Sequence, residues 1–369
     1  MEIPLSRPDI TQREIDAVVE VLKTPWLSLG PKIPEFEQRF AAHCGTRHAV
    51  ACSSGTAGLH MIVKAMDLGP GCEVITTPFS FIASANSILF EGATPVFVDI
   101  DPGTWNINPD RIEAAVTGRT RAILAVDVFG QPADYDRIHQ VALRHKLRLI
   151  EDSCESLGAW YKGRPAGSLA EAGVFGFYPN KQITTGEGGM VVTDDDALAA
   201  TARSLRNQGR SAHGGWLAHE RLGYNFRLPD INCALGIVQL SRIGEIVAAR
   251  ARVADLYLKR LADEPRLRTQ RMAPECQMSW FVFVVRLSDE YTQTDRDRIL
   301  TSLRERNIGA SNYFVPIHLQ PFYRERFGFA EGDFPICEAV AQRTIALPFH
   351  NRLAQSEVDT VCRELRRLL

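Results

Sequence analysis

The 369-residue sequence predicts an α/β fold: a large domain built on a mostly parallel seven-stranded sheet covered by helices, then a smaller α+β C-terminal domain. Three observations predict it. Short apolar, β-branched runs alternate with helical patterns from about residue 48 to 195, the order that builds a parallel sheet. The runs are nearly continuous in apolar residues, as strands buried on both faces require. Beyond about residue 240 the pattern changes to a long helical stretch followed by mixed elements.

Seven runs are read as the strands: His48 to Ala51, Val74 to Thr77, Pro95 to Val98, Ala122 to Val126, Leu147 to Ile150, Val174 to Phe177 and Met190 to Thr193. Helical patterns fall between several of them, at Gly58 to Met66, Pro109 to Ala115 and Asp134 to Arg144. In such a sheet, ligands bind outside the carboxyl ends of the strands. From Ile231 to Ala262 the apolar spacing is helical and long enough to bridge two domains, so the large domain is expected over 1–240 and the small one over 241–369. The second part holds a strand at Trp280 to Val285, a helix at Thr294 to Arg306, a loop with Pro316, His318 and Pro321, and a last helix from Gln355 to Leu369. No internal repeat or low-complexity linker interrupts the chain.

Composition narrows the function classes. Hydrophobic residues make up 45% and charged residues 23%, the balance of a soluble globular protein. With 42 basic and 44 acidic residues the net charge is -2, which points to neither nucleic acid nor an anionic membrane. No apolar run is long enough to span a bilayer, and the first residues lack a basic start and apolar core. The eight cysteines (44, 52, 72, 154, 233, 276, 337 and 362) are scattered without a Cys-x-x-Cys pair, so they read as reduced thiols, with no metal site. The expected compartment is the cytoplasm.

Four short segments, each following a predicted strand, carry the chemistry. Ser53-Ser54-Gly55-Thr56-Ala57-Gly58 opens a helix, where small residues and free N–H groups form a cradle for phosphate or, more plainly, an N-cap. Thr77-Pro78-Phe79-Ser80-Phe81 supplies aromatics that stack on a planar ring or fill the core. Asp152 ends its strand where a ligand sits; it reads as the partner of a pyridine nitrogen or as a helix cap. Glu155 meets a ring hydroxyl or completes a capping box with Asp152. Lys181 lies in a turn rich in Thr and Gly between two apolar runs, against the default of a solvated lysine. An amine that forms a Schiff base and an acid that holds a ring nitrogen are what pyridoxal 5'-phosphate (PLP) chemistry requires. It is the set, in this chain order, that carries the reading.

The sequence resembles the DegT/StrS group of PLP-dependent sugar aminotransferases of fold type I, nearly from end to end. The resemblance lies in Trp26-Leu27-Ser28-Leu29-Gly30, Ser54-Gly55-Thr56, Glu151-Asp152, Lys181 with Thr184 and Gly186-Glu187-Gly188-Gly189, Gly223-Tyr224-Asn225-Phe226-Arg227, Ile317 to Tyr323 and Leu347-Pro348. It implies that Lys181 holds PLP as a Schiff base and shuttles a proton between Cα and the cofactor's C4′. It implies Asp152 on the pyridine nitrogen, Glu155 on the ring hydroxyl, Phe81 stacked on the ring, and Gly55 and Thr56 on the phosphate. Asn225 and Arg227 would reach the phosphate of a neighbouring subunit, so a homodimer with shared active sites is implied.

The implied activity moves an amino group from an amino-acid donor, glutamate, to a keto group on a nucleotide-linked sugar, with pyridoxamine phosphate as the intermediate cofactor form. A non-nucleotide ketone, such as an aminocyclitol or aminobenzoate precursor, is the runner-up acceptor, and a non-catalytic PLP sensor the third reading. A dehydratase branch carries His in place of the lysine, and Lys181 argues against it. Three positions depart from the family's common pattern: Glu155 where Gln or His is frequent, Gly176 where a phosphate-binding Ser is frequent, and Asp127 where His is frequent. Lys32, Arg206, Arg210, Arg324 and Arg326 are the cations expected near a diphosphate.

Overall fold

The computed structural model describes residues 2–211, 215 and 217–369. Its centre is a seven-stranded sheet of β1 (His48–Cys52), β2 (Glu73–Thr76), β3 (Thr94–Phe97), β4 (Thr120–Val126), β5 (Arg148–Asp152), β6 (Ala172–Gly176) and β7 (Gly189–Thr193). The order across the sheet is β1-β7-β6-β5-β4-β2-β3. All pairs are parallel except those of β7, which runs against both β1 and β6. Every predicted strand of this sheet is present within two residues of its expected bounds. The reason is burial: β2, β6 and β7 are buried or nearly so along their whole length, so both faces must be apolar.

Helices cover the sheet. Gly55–Ala65 is buried from Ala57 to Val63 and packs over β6 and β7, which explains its nearly unbroken apolar sequence. Lys32–Cys44 closes the other face through Phe36 and Phe40. Their rings meet Phe175 and Phe177, with Phe40 at 5.1 and 5.6 Å and Phe36 at 5.7 Å from Phe177. Each such buried ring contributes about 2 kcal/mol. This aromatic layer lies directly beneath the segment that carries Lys181.

The chain after residue 241 builds a second, three-stranded antiparallel sheet of Leu267–Thr269, Phe283–Leu287 and Thr344–Leu347, flanked by Gln293–Glu305 and Gln355–Leu368. Two expectations need correction. The single helix read over Ile231 to Ala262 is two, Asp230–Ser241 and Ile243–Leu261, bent by 63° at Arg242. The bend follows from Arg242 itself, which is buried and ion-paired at 2.8 Å to both Asp9 and Glu14 of the N-terminal segment. The strand read from Trp280 begins only at Phe283, because Trp280 is left-handed (φ 54°) and Phe281 turns toward the sheet's carboxyl edge. Among the described residues no single helix is long and apolar enough to cross a membrane.

Candidate active site

Six of the seven strands point their carboxyl ends at one edge, and a cleft of about 690 Å³ opens there. Gly55, Thr56, Phe81, Asp152, Glu155 and Lys181 all line it. They arrive by four strands or their loops, two residues each from β1 and β5, so the sheet's order brings together residues far apart in the chain.

Ser54 caps helix Gly55–Ala65, its Oγ accepting from the N–H of Ala57 at 3.0 Å. The plain reading of the Ser-Gly-Thr turn therefore holds for Ser54. Gly55 and Thr56, one and two residues on, face the cleft with first-turn N–H groups that have no carbonyl one turn earlier. Of the two aromatics after β2, Phe79 is core, packed at 5.8 Å from Phe129 and 5.7 Å from Phe314. Phe81 is 62% exposed at the cleft.

Asp152 ends β5 and is 5% exposed. Its carboxylate accepts from Ser84 Oγ at 2.7 Å and from the Cys154 N–H at 3.2 Å. Ser84 is in turn bonded to Ser80 at 2.8 Å. No helix follows Asp152, so it caps none. Glu155 is no capping partner either: its Oε2 accepts from the Phe129 N–H at 2.9 Å, and its Oε1 lies 3.6 Å from Lys181 Nζ. Burial pushes the Glu155 carboxyl above the usual carboxylate range, and the Lys181 ammonium opposes that shift.

Lys181 sits in the connection between β6 and β7, which leaves and re-enters the sheet at paired residues Gly176 and Gly189. The side chain is 14% exposed, and Nζ lies 3.8 Å from the Phe281 ring centroid. The default of a solvated lysine does not hold here. The return of the loop needs glycine, since a Cβ at Gly188 would stand 2.2 Å from Thr185 Oγ1.

Asn225 and Arg227 do not line the cleft of their own chain. Their loop lies along 205–208: Arg227 Nη1 donates to Asn207 Oδ1 at 3.0 Å, and the Phe226 N–H donates to the Arg206 carbonyl at 2.9 Å. The cations expected near a diphosphate do not line it either. Lys32 pairs with Glu35 at 2.8 Å, Arg206 with Glu37, and Arg326 stacks over Phe322 and Phe327. Residues that sequence reasoning missed line the cleft instead: Ser84, Cys154, Phe281, Asn312, Tyr313 and Phe314.

A model of the DegT/DnrJ/EryC1/StrS aminotransferase family matches residues 8–366. The chain belongs to that family. It is a PLP-dependent aminotransferase. It is 41% identical to the GDP-perosamine synthase of Caulobacter vibrioides, covering 100% of this chain and 98% of that protein. It is 39% identical to the spore coat polysaccharide biosynthesis protein SpsC of Bacillus subtilis, covering 100% and 97%. A Streptococcus pneumoniae protein described as a sugar aminotransferase, solved in its PLP form, superposes with a TM-score of 0.95 at 30% identity over 100% of both chains.

The aminotransferase's cleft fits that cofactor on its own terms. A buried carboxylate, a lysine amine and a helix N-terminus converge on one cavity, the donor set that a phosphorylated pyridine aldehyde demands. Asn180 Oδ1 is buried in the same wall without a partner. A Cβ at Gly55 would come within 2.7 Å of Cys154 Sγ, so the chain passes as close to the cleft wall as it can. Gly176 is different: a Cβ there meets Cys154 Sγ at 3.5 Å, an ordinary contact, so a serine has room. Asp127, the third departure, lies outside the cleft. It is buried and accepts from Ser156 Oγ at 2.7 Å, Tyr135 OH at 3.0 Å and the Ala133 N–H at 3.1 Å. Burial, with Glu151 nearby, drives its pKa well up. It braces the loop after β4.

Proposed function

We propose that this aminotransferase transfers the amino group of an amino acid, glutamate, to the keto group of a nucleotide-linked sugar, in amino-sugar biosynthesis. The observation that carries the chemistry is the convergence of Lys181, Asp152, Glu155, Phe81 and the Gly55–Thr56 turn on one cleft. The similarity to a GDP-perosamine synthase supports the nucleotide-sugar acceptor.

When bound, PLP supplies an aldehyde that condenses with amines and a ring that draws electrons from the donor's Cα. Lys181 Nζ would form the covalent link and, once released by the donor, move the proton taken from Cα. Asp152, held at both oxygens by Ser84 and Cys154, would keep the ring nitrogen protonated, and Glu155, paired with Lys181, would meet the ring hydroxyl. Phe81 would stack on the ring, and Gly55 and Thr56 would donate to the phosphate. This reading takes the division of the chain to fall near residue 240, where the helices bend, and the compartment to be the cytoplasm.

The test is to load the enzyme with pyridoxamine phosphate and offer keto-sugar nucleotides, following return of the PLP absorbance. Recovery with a nucleotide-linked 3- or 4-keto-6-deoxyhexose is the expected result. Reaction with a free keto-cyclitol or an aromatic precursor alone would replace the sugar-nucleotide acceptor by the runner-up, and failure of glutamate to convert the PLP form would replace glutamate by another amino donor.

The same reading includes a homodimer in which Asn225 and Arg227 complete the partner's phosphate site. It is supported by their position off the cleft of their own chain. Mixing inactive Lys181→Ala and Asn225→Ala subunits should restore activity, up to roughly a quarter of wild type if subunits pair at random. Full activity from a stable monomer would contradict the shared site.

A further inference from the structure

We propose that Arg250 is a positioning residue for Lys181: its guanidinium braces the Asn180–Lys181 backbone against the Trp280–Phe281 backbone, holding the lysine amine between Glu155 and the Phe281 ring. The proposal rests on Lys181 being the residue that carries the cofactor.

Arg250 projects from helix Ile243–Leu261 and is 3% exposed. Its two terminal nitrogens divide their bonds between two chain segments. Nη1 donates to the carbonyls of Trp280 (3.3 Å) and Phe281 (3.1 Å), and Nη2 to those of Asn180 (3.4 Å) and Lys181 (3.0 Å). A planar fork with fixed spacing therefore sets the separation of the two peptides. One of them carries the amine and the other the ring that the amine faces at 3.8 Å.

The remaining contacts close a circuit around the amine. The Phe281 N–H donates to the Phe129 carbonyl at 3.1 Å, and the Phe129 N–H donates to Glu155 Oε2 at 2.9 Å. Glu155 Oε1 returns to Lys181 Nζ at 3.6 Å. Gln182 adds a second brace, its Nε2 donating to the Glu155 carbonyl and to Ser279 Oγ. Of these residues Glu155, Lys181 and Phe281 line the cleft, while Phe129, Gln182 and Ser279 are buried.

Packing alone does not call for a guanidinium here. Among the described residues it has no ion-pair partner, and its Nε has no partner either. Burial draws its pKa down to about 10, with Asp9 opposing, so it stays charged at neutral pH. His350, both ring nitrogens unpartnered, and the Phe349 ring at 5.5 Å are its other neighbours. A buried cation without a carboxylate is costly, and an apolar side chain would fill the space without that cost. What the guanidinium adds is four bonds to the lysine loop and the segment opposite it.

Arg250→Lys keeps the charge but loses the brace, because one ammonium cannot serve four carbonyls on two chains. Wild type, Arg250→Lys and Arg250→Ala are compared as holoenzymes by borohydride reduction with peptide mapping, and by the glutamate half-reaction followed through cofactor absorbance. The expected result for Arg250→Lys is a label on Lys181, a glutamate KM within about threefold of wild type, and a half-reaction slowed by about 10²-fold, the effect of misplacing a reacting group by about an ångström. Methylguanidinium should restore the Arg250→Ala half-reaction by about tenfold, since it refills the brace.

An Arg250→Lys half-reaction within about threefold of wild type, or a loss carried by KM alone, overturns the proposal. So does a folded Arg250→Ala protein that methylguanidinium leaves unchanged. If Arg250→Ala does not fold, Arg250→Lys decides. A wild-type label on another lysine overturns the assignment of Lys181 as well, which separates the two failures.

Discussion

Lys181→Ala is expected to abolish both the covalent attachment of PLP and the proton transfer from the donor's Cα, lowering transamination by roughly 10⁴-fold or more. The expectation comes from the lysine's enclosure. Its amine faces Glu155 at 3.6 Å and the Phe281 ring at 3.8 Å, at the carboxyl edge of the sheet. Lys162, the nearest lysine upstream, pairs with Asp136 in an exposed hairpin and does not line the cleft. The fold should survive, because the aliphatic stem of Lys181 is a small part of a cleft wall that many other residues build. The measurement is borohydride reduction and peptide mapping of the wild type beside turnover of the variant. A pyridoxyl group on any other lysine would end the assignment.

Asp152→Asn should leave PLP bound and slow transamination by about 10²- to 10³-fold, the usual size of losing one preorganised electrostatic partner. A neutral amide cannot hold the ring nitrogen protonated, and the ring then draws electrons weakly. The substitution is nearly isosteric. Oδ1 can still accept from the Cys154 N–H, and the Ser84 hydroxyl, which donates at 2.7 Å in the wild type, can turn to accept from the new amide. Stability should therefore change by only about 1 kcal/mol. Thermal unfolding and the half-reaction with glutamate, run on the same preparation, test both statements. Wild-type turnover would reduce Asp152 to a structural acceptor for Ser84 and Cys154.

Much of this site was legible because it is local. A strand buried on both faces leaves an unbroken apolar run, and residues that line the cleft lie just after such runs: Thr56 after β1, Phe81 after β2, Asp152 at the end of β5. Lys181 was legible for the same reason, with the glycines of its return marking a tight loop. What escaped depends on contacts between distant parts of the chain. Phe281, Tyr313 and Phe314 carry no such mark, because nothing in their own neighbourhood says that they face a cleft. Ser84, on the helix Ala83–Phe90, becomes meaningful only through Asp152 at the end of β5. The bend at Arg242 is invisible in the apolar spacing, which continues through it; its cause is a pair of carboxylates, Asp9 and Glu14, near the start of the chain. The cations expected near a diphosphate were legible only as charges, and they do not line the cleft of their own chain. Charge on a sequence does not reveal whether it is already spent on a neighbour, as it is for Lys32 and Arg206.

The one strand that runs against the rest has a consequence for how the protein is made. Strand β1 pairs with β7 and with no other strand of the sheet, His48 opposite Thr193 and Cys52 opposite Gly189. On the ribosome, β1 and the turn after it therefore emerge long before the strand that anchors them, while β2 and β3, close in sequence, can pair early. Contacts between residues so far apart close slowly. The lysine loop, which leads into β7, arrives together with the missing neighbour, and the segment around Phe281 later still. The last strand to enter the sheet is thus the one that fixes both the helix N-terminus at Gly55 and the loop of Lys181. Binding competence should appear as a late, single event in folding, and a nascent chain arrested before β7 has left the ribosome should show no affinity for the cofactor.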